Sequence, residues 1–62
     1  MTDNELEEIA RRYTNSELAM FVVVHMKKTE TASADAIRAR ELGSAKIYHE
    51  VLGYKIKKLE NL

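Results

Sequence analysis

The chain has 62 residues, enough for one domain at most, and its 10 basic and 10 acidic side chains give a formal net charge of zero. Hydrophobic residues make up 45% of the chain, which argues against intrinsic disorder, and the absence of cysteine excludes a disulfide framework or a thiolate metal cluster. The longest apolar run, Leu18–Val24, has 7 residues, whereas a helix that spans a bilayer needs about 20.

The first predicted element is a helix over Asp3–Arg12. Thr2 and Glu5 have the spacing of a capping box, in which the threonine and the glutamate each accept a hydrogen bond from the other residue's backbone amide. The apolar residues of this segment are Leu6, Ile9, Ala10 and Tyr13. Their i, i+3, i+4, i+7 spacing predicts one narrow apolar stripe on an otherwise acidic helix.

The second predicted element is a helix over Asn15–Lys28, which begins with another capping box formed by Thr14 and Glu17. Apolar side chains cover almost its whole circumference, a pattern typical of a helix that is buried on all sides. Because two short neighbours cannot cover such a helix, we expect a second chain to cover the remainder. The alternative is a β-strand, since Phe21–Val24 is rich in residues that favour strands.

The third predicted element is one long helix over Ser33–Glu60, about 40 Å in length at 1.5 Å per residue. Ser33 is the expected N-cap residue. Asp35 follows in the first turn, where a carboxylate interacts favourably with the positive end of the helix dipole.

An apolar stripe indicates that this helix is continuous. Its residues are Ala34, Ile37, Ala45, Tyr48, Leu52, Ile56 and Leu59. The stripe passes Gly43 and Gly53 without losing its register, although Glu41 lies on the same face. The alternative is a break at Gly43–Ser44, because glycine can end a helix and serine can begin one.

Together these elements predict an all-α fold, with a short N-terminal helix and a helical hairpin whose last helix is long. A core this small barely offsets the conformational entropy of the chain, and small domains without disulfides often gain burial by oligomerising. We therefore expect a homodimer or a higher oligomer. The expected self-association residues are Leu18, Phe21, Val22, Val23 and Met26.

Two patterns raise the possibility of nucleic-acid binding. The first two helices loosely follow the spacing of a helix-turn-helix, but Thr14 replaces the usual glycine and the second helix would present apolar side chains to DNA. Net charge is −3 over residues 1–17, +1 over 18–32 and +2 over 33–62. The bases that could contact nucleic acid or an acidic partner are Arg38, Arg40, Lys46, Lys55, Lys57 and Lys58. Nucleic-acid-binding domains are usually basic overall, so we favour a solvated helix face.

Histidine chemistry is the third candidate. His25 lies within the apolar second helix, where a structural histidine with one hydrogen bond is the common explanation and a pH-sensitive interface is the alternative. The dipeptide His49–Glu50 lacks the second histidine of a zinc-binding helix motif. Without a catalytic triad, a glycine-rich phosphate loop or a metal-spaced cluster, we expect no catalysis and neither a metal nor a cofactor.

The apolar stripe of the last helix is the fourth candidate, because a helix longer than its neighbours would expose part of that stripe to a partner. The expected partner-binding residues are Tyr48, Leu52, Tyr54, Ile56 and Leu59. The predicted function is non-catalytic: a protein–protein interaction module that regulates, adapts or inhibits a larger protein. The alternatives are a nucleic-acid-binding regulator that uses the basic face of the last helix and an enzyme with a site shared around His25 or His49.

Localisation follows from the ends and the apolar runs of the sequence. The amino terminus is acidic, unlike the basic start of a signal peptide. We therefore expect a cytoplasmic protein that does not bind membranes.

Overall fold

The computed structural model describes residues 1–62 and contains three helices, α1 (Asp3–Arg12), α2 (Asn15–Thr31) and α3 (Asp35–Glu60). Because no strand is present, the all-α prediction is confirmed and the strand alternative for Phe21–Val24 is wrong. The second helix continues past the predicted end at Lys28 and reaches Thr31. None of the three helices is long and apolar enough to cross a membrane.

Both predicted capping boxes are present. The Thr2 hydroxyl accepts a hydrogen bond from the Glu5 amide at 3.2 Å, and the Glu5 carboxylate accepts one from the Thr2 amide at 3.0 Å. Thr14 and Glu17 form the same reciprocal pair at the start of α2, with distances of 3.1 and 2.9 Å. These bonds satisfy amides that have no partner within the helix, which fixes where α1 and α2 begin.

The start of α3 differs from the prediction. The N-cap residue is Ala34 rather than Ser33, and it makes no side-chain capping hydrogen bond. Instead, the Arg38 guanidinium donates to the Asp35 carboxylate at 2.7 Å and to the Ala32 carbonyl at 3.0 Å. These two bonds tie the first turn of α3 to the connector from α2, so the position of the turn does not depend on a capping serine.

Ala34→Ser is expected to stabilise the protein, because serine can accept the amide hydrogen bond that alanine at this N-cap leaves unmade. The Ala34 backbone already has the extended conformation of an N-cap, with φ −122° and ψ 141°. We expect the free energy of unfolding to rise by about 1 kcal/mol in chemical denaturation. An unchanged value would mean that solvent or another group already satisfies those amides.

The third helix runs without interruption through both glycines, so the alternative of a break at Gly43–Ser44 is wrong. Neither Gly43 nor Gly53 has a positive φ, and a Cβ atom at either position would meet no atom within 4 Å. The two glycines therefore fulfil no steric requirement inside a single chain. Each instead lowers the intrinsic stability of α3 by about 1 kcal/mol relative to alanine.

Gly43→Ala is accordingly expected to raise the free energy of unfolding by about 1 kcal/mol, because alanine has the higher helix propensity and the site has room for its methyl group. For a domain of this size that gain corresponds to a melting temperature about 4–8 °C higher. Thermal unfolding followed by circular dichroism measures it. A lower melting temperature would show that the Gly43 backbone is covered in solution.

The helices α2 and α3 form an antiparallel hairpin, and the backbone of α1 lies against α3 rather than α2. The enclosed core contains one side chain from each helix: Leu6, Leu18 and Val51, of which Leu18 and Val51 have no exposed surface. The apolar side chains packed around it are Ile9, Ala10, Tyr13, Tyr48, Leu52 and Tyr54. Each helix therefore contributes to one continuous but very small core, which lies near the amino-terminal end of α2.

An aromatic cluster extends this core along the hairpin. The rings of Tyr13 and Phe21 meet edge to face with centroids 5.1 Å apart, and Phe21 lies at the same distance from Tyr48. His25 stacks on Tyr48 at 5.8 Å. Such aromatic contacts add roughly 0.5–1.5 kcal/mol per pair beyond simple area burial, so this cluster fixes how α2 lies on α3.

Candidate interaction surface

The chain exposes more surface than a compact protein of its mass. Its solvent-accessible area is 4723 Å², about 600 Å² above the roughly 4,100 Å² expected for a folded monomer of 7.1 kDa. Only 4 of the 62 residues are buried, and many large apolar side chains face solvent. The surface therefore contains apolar regions that intramolecular packing leaves uncovered.

The first such region is a groove between α2 and α3, which we call the hairpin groove. Its lining residues are Val22, Met26, Leu42, Ala45, Lys46 and His49. The groove has a volume of about 170 Å³, and no residue of α1 contributes to it. Leu42 is 42% exposed and Met26 is 48% exposed, so the groove is an open apolar face of the hairpin.

The second region lies at the carboxyl end of α3, where α1 and α3 enclose a groove of about 310 Å³ that we call the end groove. Its lining residues are Glu7, Ala10, Arg11, Asn15, Tyr54, Lys55, Lys58, Leu59 and Leu62. Leu59 is 65% exposed and Leu62 is almost completely exposed. These leucines extend beyond the enclosed core and offer apolar surface at one end of the molecule.

The residues expected at a self-association interface occupy two different environments. Leu18 has no exposed surface and Phe21 lies in the aromatic cluster, so both of these side chains pack inside the single chain. Val22 and Met26 line the hairpin groove, and Val23 is exposed beside them on α2. Burial of Leu18 corrects its expected role, because a side chain with no exposed surface cannot contact a second copy.

The residues expected to bind a partner also fall into a packed group and an exposed group. Tyr48, Leu52 and Tyr54 pack around the enclosed core and are only partly exposed. Ile56 and Leu59 remain exposed, at 56% and 65%. The sequence pattern alone could not separate the two groups, because the separation depends on where α1 and α2 cross α3.

The six candidate bases do not form one surface. Lys58 donates to the Glu7 carboxylate at 2.9 Å and Lys55 to the Tyr13 carbonyl at 3.4 Å, while Arg38 bonds Asp35. Lys46 and Lys57, eleven residues apart, share one face of α3 but lie about 16 Å apart along its axis, whereas Arg40 points about 100–120° away from them. Arg40 lies 3.8 Å from the Glu41 carboxylate, and Lys46 and Lys57 form no ion pair. A continuous phosphate-binding stripe is therefore absent from α3.

His25 has a structural partner, Glu41, whose carboxylate lies 2.6 Å from its Nδ1 atom. Both side chains are largely shielded from solvent within the hairpin. This hydrogen bond from His25 lowers the pKa of Glu41. The pairing explains why a glutamate interrupts the apolar stripe of α3. The sequence showed this interruption but did not indicate which residue Glu41 contacts. His49 is exposed and lines the hairpin groove.

A second polar contact joins α1 to α3. Glu7 accepts a hydrogen bond from the Tyr54 hydroxyl at 2.7 Å and another from Lys58 at 2.9 Å. These two bonds, that from Tyr54 above all, lower the pKa of Glu7 to about 2 from its ordinary value of 4.5. Sequence reasoning missed the contact, because the three residues are brought together only by the docking of α1.

Acid is expected to destabilise the protein through this contact. Because the pKa of Glu7 is lower in the folded chain than its ordinary value of 4.5, the ionised carboxylate adds stability above about pH 4.5. That contribution is lost as the pH falls towards 2 and Glu7 becomes protonated. Denaturation midpoints measured from pH 7 to pH 2 should fall across this range. Glu7→Gln should flatten the profile in part, because the pKa values of Glu5 and Glu41 are also lowered, by hydrogen bonds with Thr2 and His25. A profile identical to that of the native chain would contradict the assignment.

The chain contains no group of three or more histidine, cysteine, aspartate or glutamate residues placed to hold a metal ion. No protein-family model matches the chain, and no match is found among the curated proteins or the solved structures.

Proposed function

We propose that the chain is a small non-catalytic protein–protein interaction module that forms a homo-oligomer and regulates, adapts or inhibits a larger protein. The observation that carries this proposal is the uncovered apolar surface on two separate parts of the molecule, the hairpin groove and the end groove. Exposed apolar patches beyond what a monomer usually tolerates are typical of protein-binding sites.

The two grooves suit two different contacts. The hairpin groove runs along the side of a helical hairpin, where a further pair of helices would complete a four-helix arrangement. The end groove combines the exposed Leu59 and Leu62 with charged residues at its rim, including Arg11 and Glu7. An apolar centre with a polar rim is the usual organisation of an interface between different proteins. We therefore place self-association at the hairpin groove and the larger partner at the end groove.

Nucleic-acid binding remains the alternative function, and the arrangement of the bases argues against it. The net charge is zero, and four of the six candidate bases lie within 4 Å of a carboxylate or a backbone carbonyl of this chain. Under that alternative, binding would weaken steeply as the salt concentration rises, because phosphate contacts release condensed counterions.

Affinity capture from the native host lysate tests the proposal, with three baits and with nuclease-treated and untreated arms. The native chain and Ile47→Glu should retain the same protein partner in both arms, whereas Leu59→Glu should lose it. Ile47 is the matched control because it is an exposed aliphatic residue of α3 that lines neither groove. If the captured proteins are lost after nuclease treatment, the proposal is contradicted and the nucleic-acid alternative is supported. Equal capture by all three baits would exclude the end groove as the partner site.

A further inference from the structure

We propose that two copies of this chain pair through α3 in antiparallel orientation, with His49 at the two-fold axis. The inference rests on the proposed self-association and specifies its geometry. It comes from a line of residues on α3 that borders the hairpin groove, which we call the α3 seam. The seam runs from Arg38 to Glu60 in steps of three and four residues, the spacing that keeps side chains on one face of a helix.

The seam is symmetric in side-chain type about His49. Four residues away on either side are the small residues Ala45 and Gly53, and seven residues away are the large aliphatic residues Leu42 and Ile56. In an antiparallel pair with a two-fold axis at His49, Leu42 of one copy faces Ile56 of the other, and Gly53 lies over Ala45, which is only 4% exposed within its own chain. Large side chains then meet large ones, and small residues lie on both sides of the crossing point.

The small residues have a specific use in this pairing. Two helices approach most closely where the facing side chains are small, and interaxial distances of about 8–10 Å depend on the residues at the contact. Gly53 has no steric role within the single chain, since a Cβ atom there would meet nothing within 4 Å. Close approach of a second α3 supplies a reason for a glycine that otherwise only weakens the helix.

The charges at the ends of the seam select the antiparallel orientation. Arg38 lies eleven residues before His49 and Glu60 eleven residues after it, so an antiparallel pair brings opposite charges together twice. A parallel pair would instead place arginine against arginine and glutamate against glutamate. Arg38 already bonds Asp35 and the Ala32 carbonyl, but a guanidinium has five N–H donors and can accept a further carboxylate.

The available area also fits a second copy. Leu42 and Ile56 of the seam are 42% and 56% exposed, and Met26 on the opposite wall of the hairpin groove is 48% exposed. Pairing two hairpins along α3 would bury all three of these side chains. The surface excess of about 600 Å² per chain, which the hairpin groove shares with the end groove, is of the same order as the roughly 800 Å² that each partner buries in a standard interface. The product would be a four-helix bundle, with the two α1 helices on its outside.

Cysteine crosslinking tests the register directly, because the native chain has no cysteine. His49→Cys should form a disulfide-linked dimer under mild oxidation, since two residues on the axis face each other within disulfide reach. Leu42→Cys and Ile56→Cys should remain uncrosslinked separately but should crosslink when they are mixed. Ile47→Cys, on another face of α3, is the control that should not crosslink.

The outcomes separate this inference from the proposed self-association. Efficient crosslinking of Leu42→Cys with itself would indicate a parallel pair and overturn the inference. A protein that is dimeric by light scattering but yields no crosslink through His49→Cys or the mixed pair would also overturn it, while leaving self-association intact. A protein that is monomeric throughout would overturn both.

Charge exchange gives a second, non-covalent test. Arg38→Glu and Glu60→Arg should each weaken the dimer by about tenfold, because two exposed attractive pairs become repulsive. The double variant should recover the native affinity, and a mixture of the two single variants should form heterodimers in preference to either homodimer. Equal affinities for all four proteins would overturn the inference.

Discussion

Leu42→Glu is expected to make the protein monomeric at concentrations at which the native chain is a dimer. Leu42 lines the hairpin groove and faces Ile56 of the second copy in the proposed pairing. The substitution would bury a carboxylate in an apolar interface, at a desolvation cost of several kcal/mol that pairing with Lys46 of the same groove offsets only in part. Because two-fold symmetry doubles that cost, the dissociation constant should rise by more than about a thousandfold. Analytical ultracentrifugation over a micromolar concentration range measures the change.

Ile47→Glu provides the matched control for this experiment. Ile47 is 41% exposed, close to the 42% of Leu42, and it lies on the same helix but outside the hairpin groove. The same chemical change at a similarly exposed position should therefore leave the dimer intact. If both variants dissociate to the same extent, the effect comes from added charge or weakened helix structure, and the groove is not the interface.

Leu18→Ala is expected to have the largest effect on folding. Leu18 is one of three side chains in the enclosed core and has no exposed surface. Its truncation should lower the free energy of unfolding by about 2–5 kcal/mol through lost burial and the cavity left behind. A 62-residue domain has only about 3–9 kcal/mol of stability, so this single truncation should remove a large fraction of it.

The same substitution at an exposed leucine is the control for the core variant. Leu59→Ala removes the same atoms from a side chain that is 65% exposed. Surface substitutions of this kind usually change stability by no more than about 0.5 kcal/mol. Urea denaturation of the two variants at one protein concentration compares them directly. Similar losses at both positions would contradict the placement of Leu18 at the centre of the core.

Helix boundaries could be predicted wherever a local interaction sets them. The Thr2 and Thr14 capping boxes fix the starts of α1 and α2 through contacts between residues three apart. The continuity of α3 past Gly43 also followed from the register of its apolar stripe. The start of α3 could not be predicted in the same way, because the bonds of Arg38 to the connector, rather than a serine cap, hold that turn.

Which apolar residues stay uncovered could not be predicted from the sequence. The second helix is apolar on all sides, so no pattern separates buried Leu18 from exposed Val23. The separation depends on α1, which packs on α3, contributes Leu6 to the core that encloses Leu18 and leaves the hairpin groove uncovered. Similarly, Glu41 stood out as a break in the apolar stripe, but only the hairpin brings it to His25.

In the proposed assembly, a second copy of the chain covers the exposed face of the hairpin. Sedimentation equilibrium of the native protein, combined with thermal unfolding at the same concentrations, tests it most directly. We predict a mass of twice 7.1 kDa that falls on dilution, together with a melting temperature that falls in parallel because dimerisation stabilises the folded chain. A mass of 7.1 kDa at every concentration, with an unchanging melting temperature, would contradict this assembly.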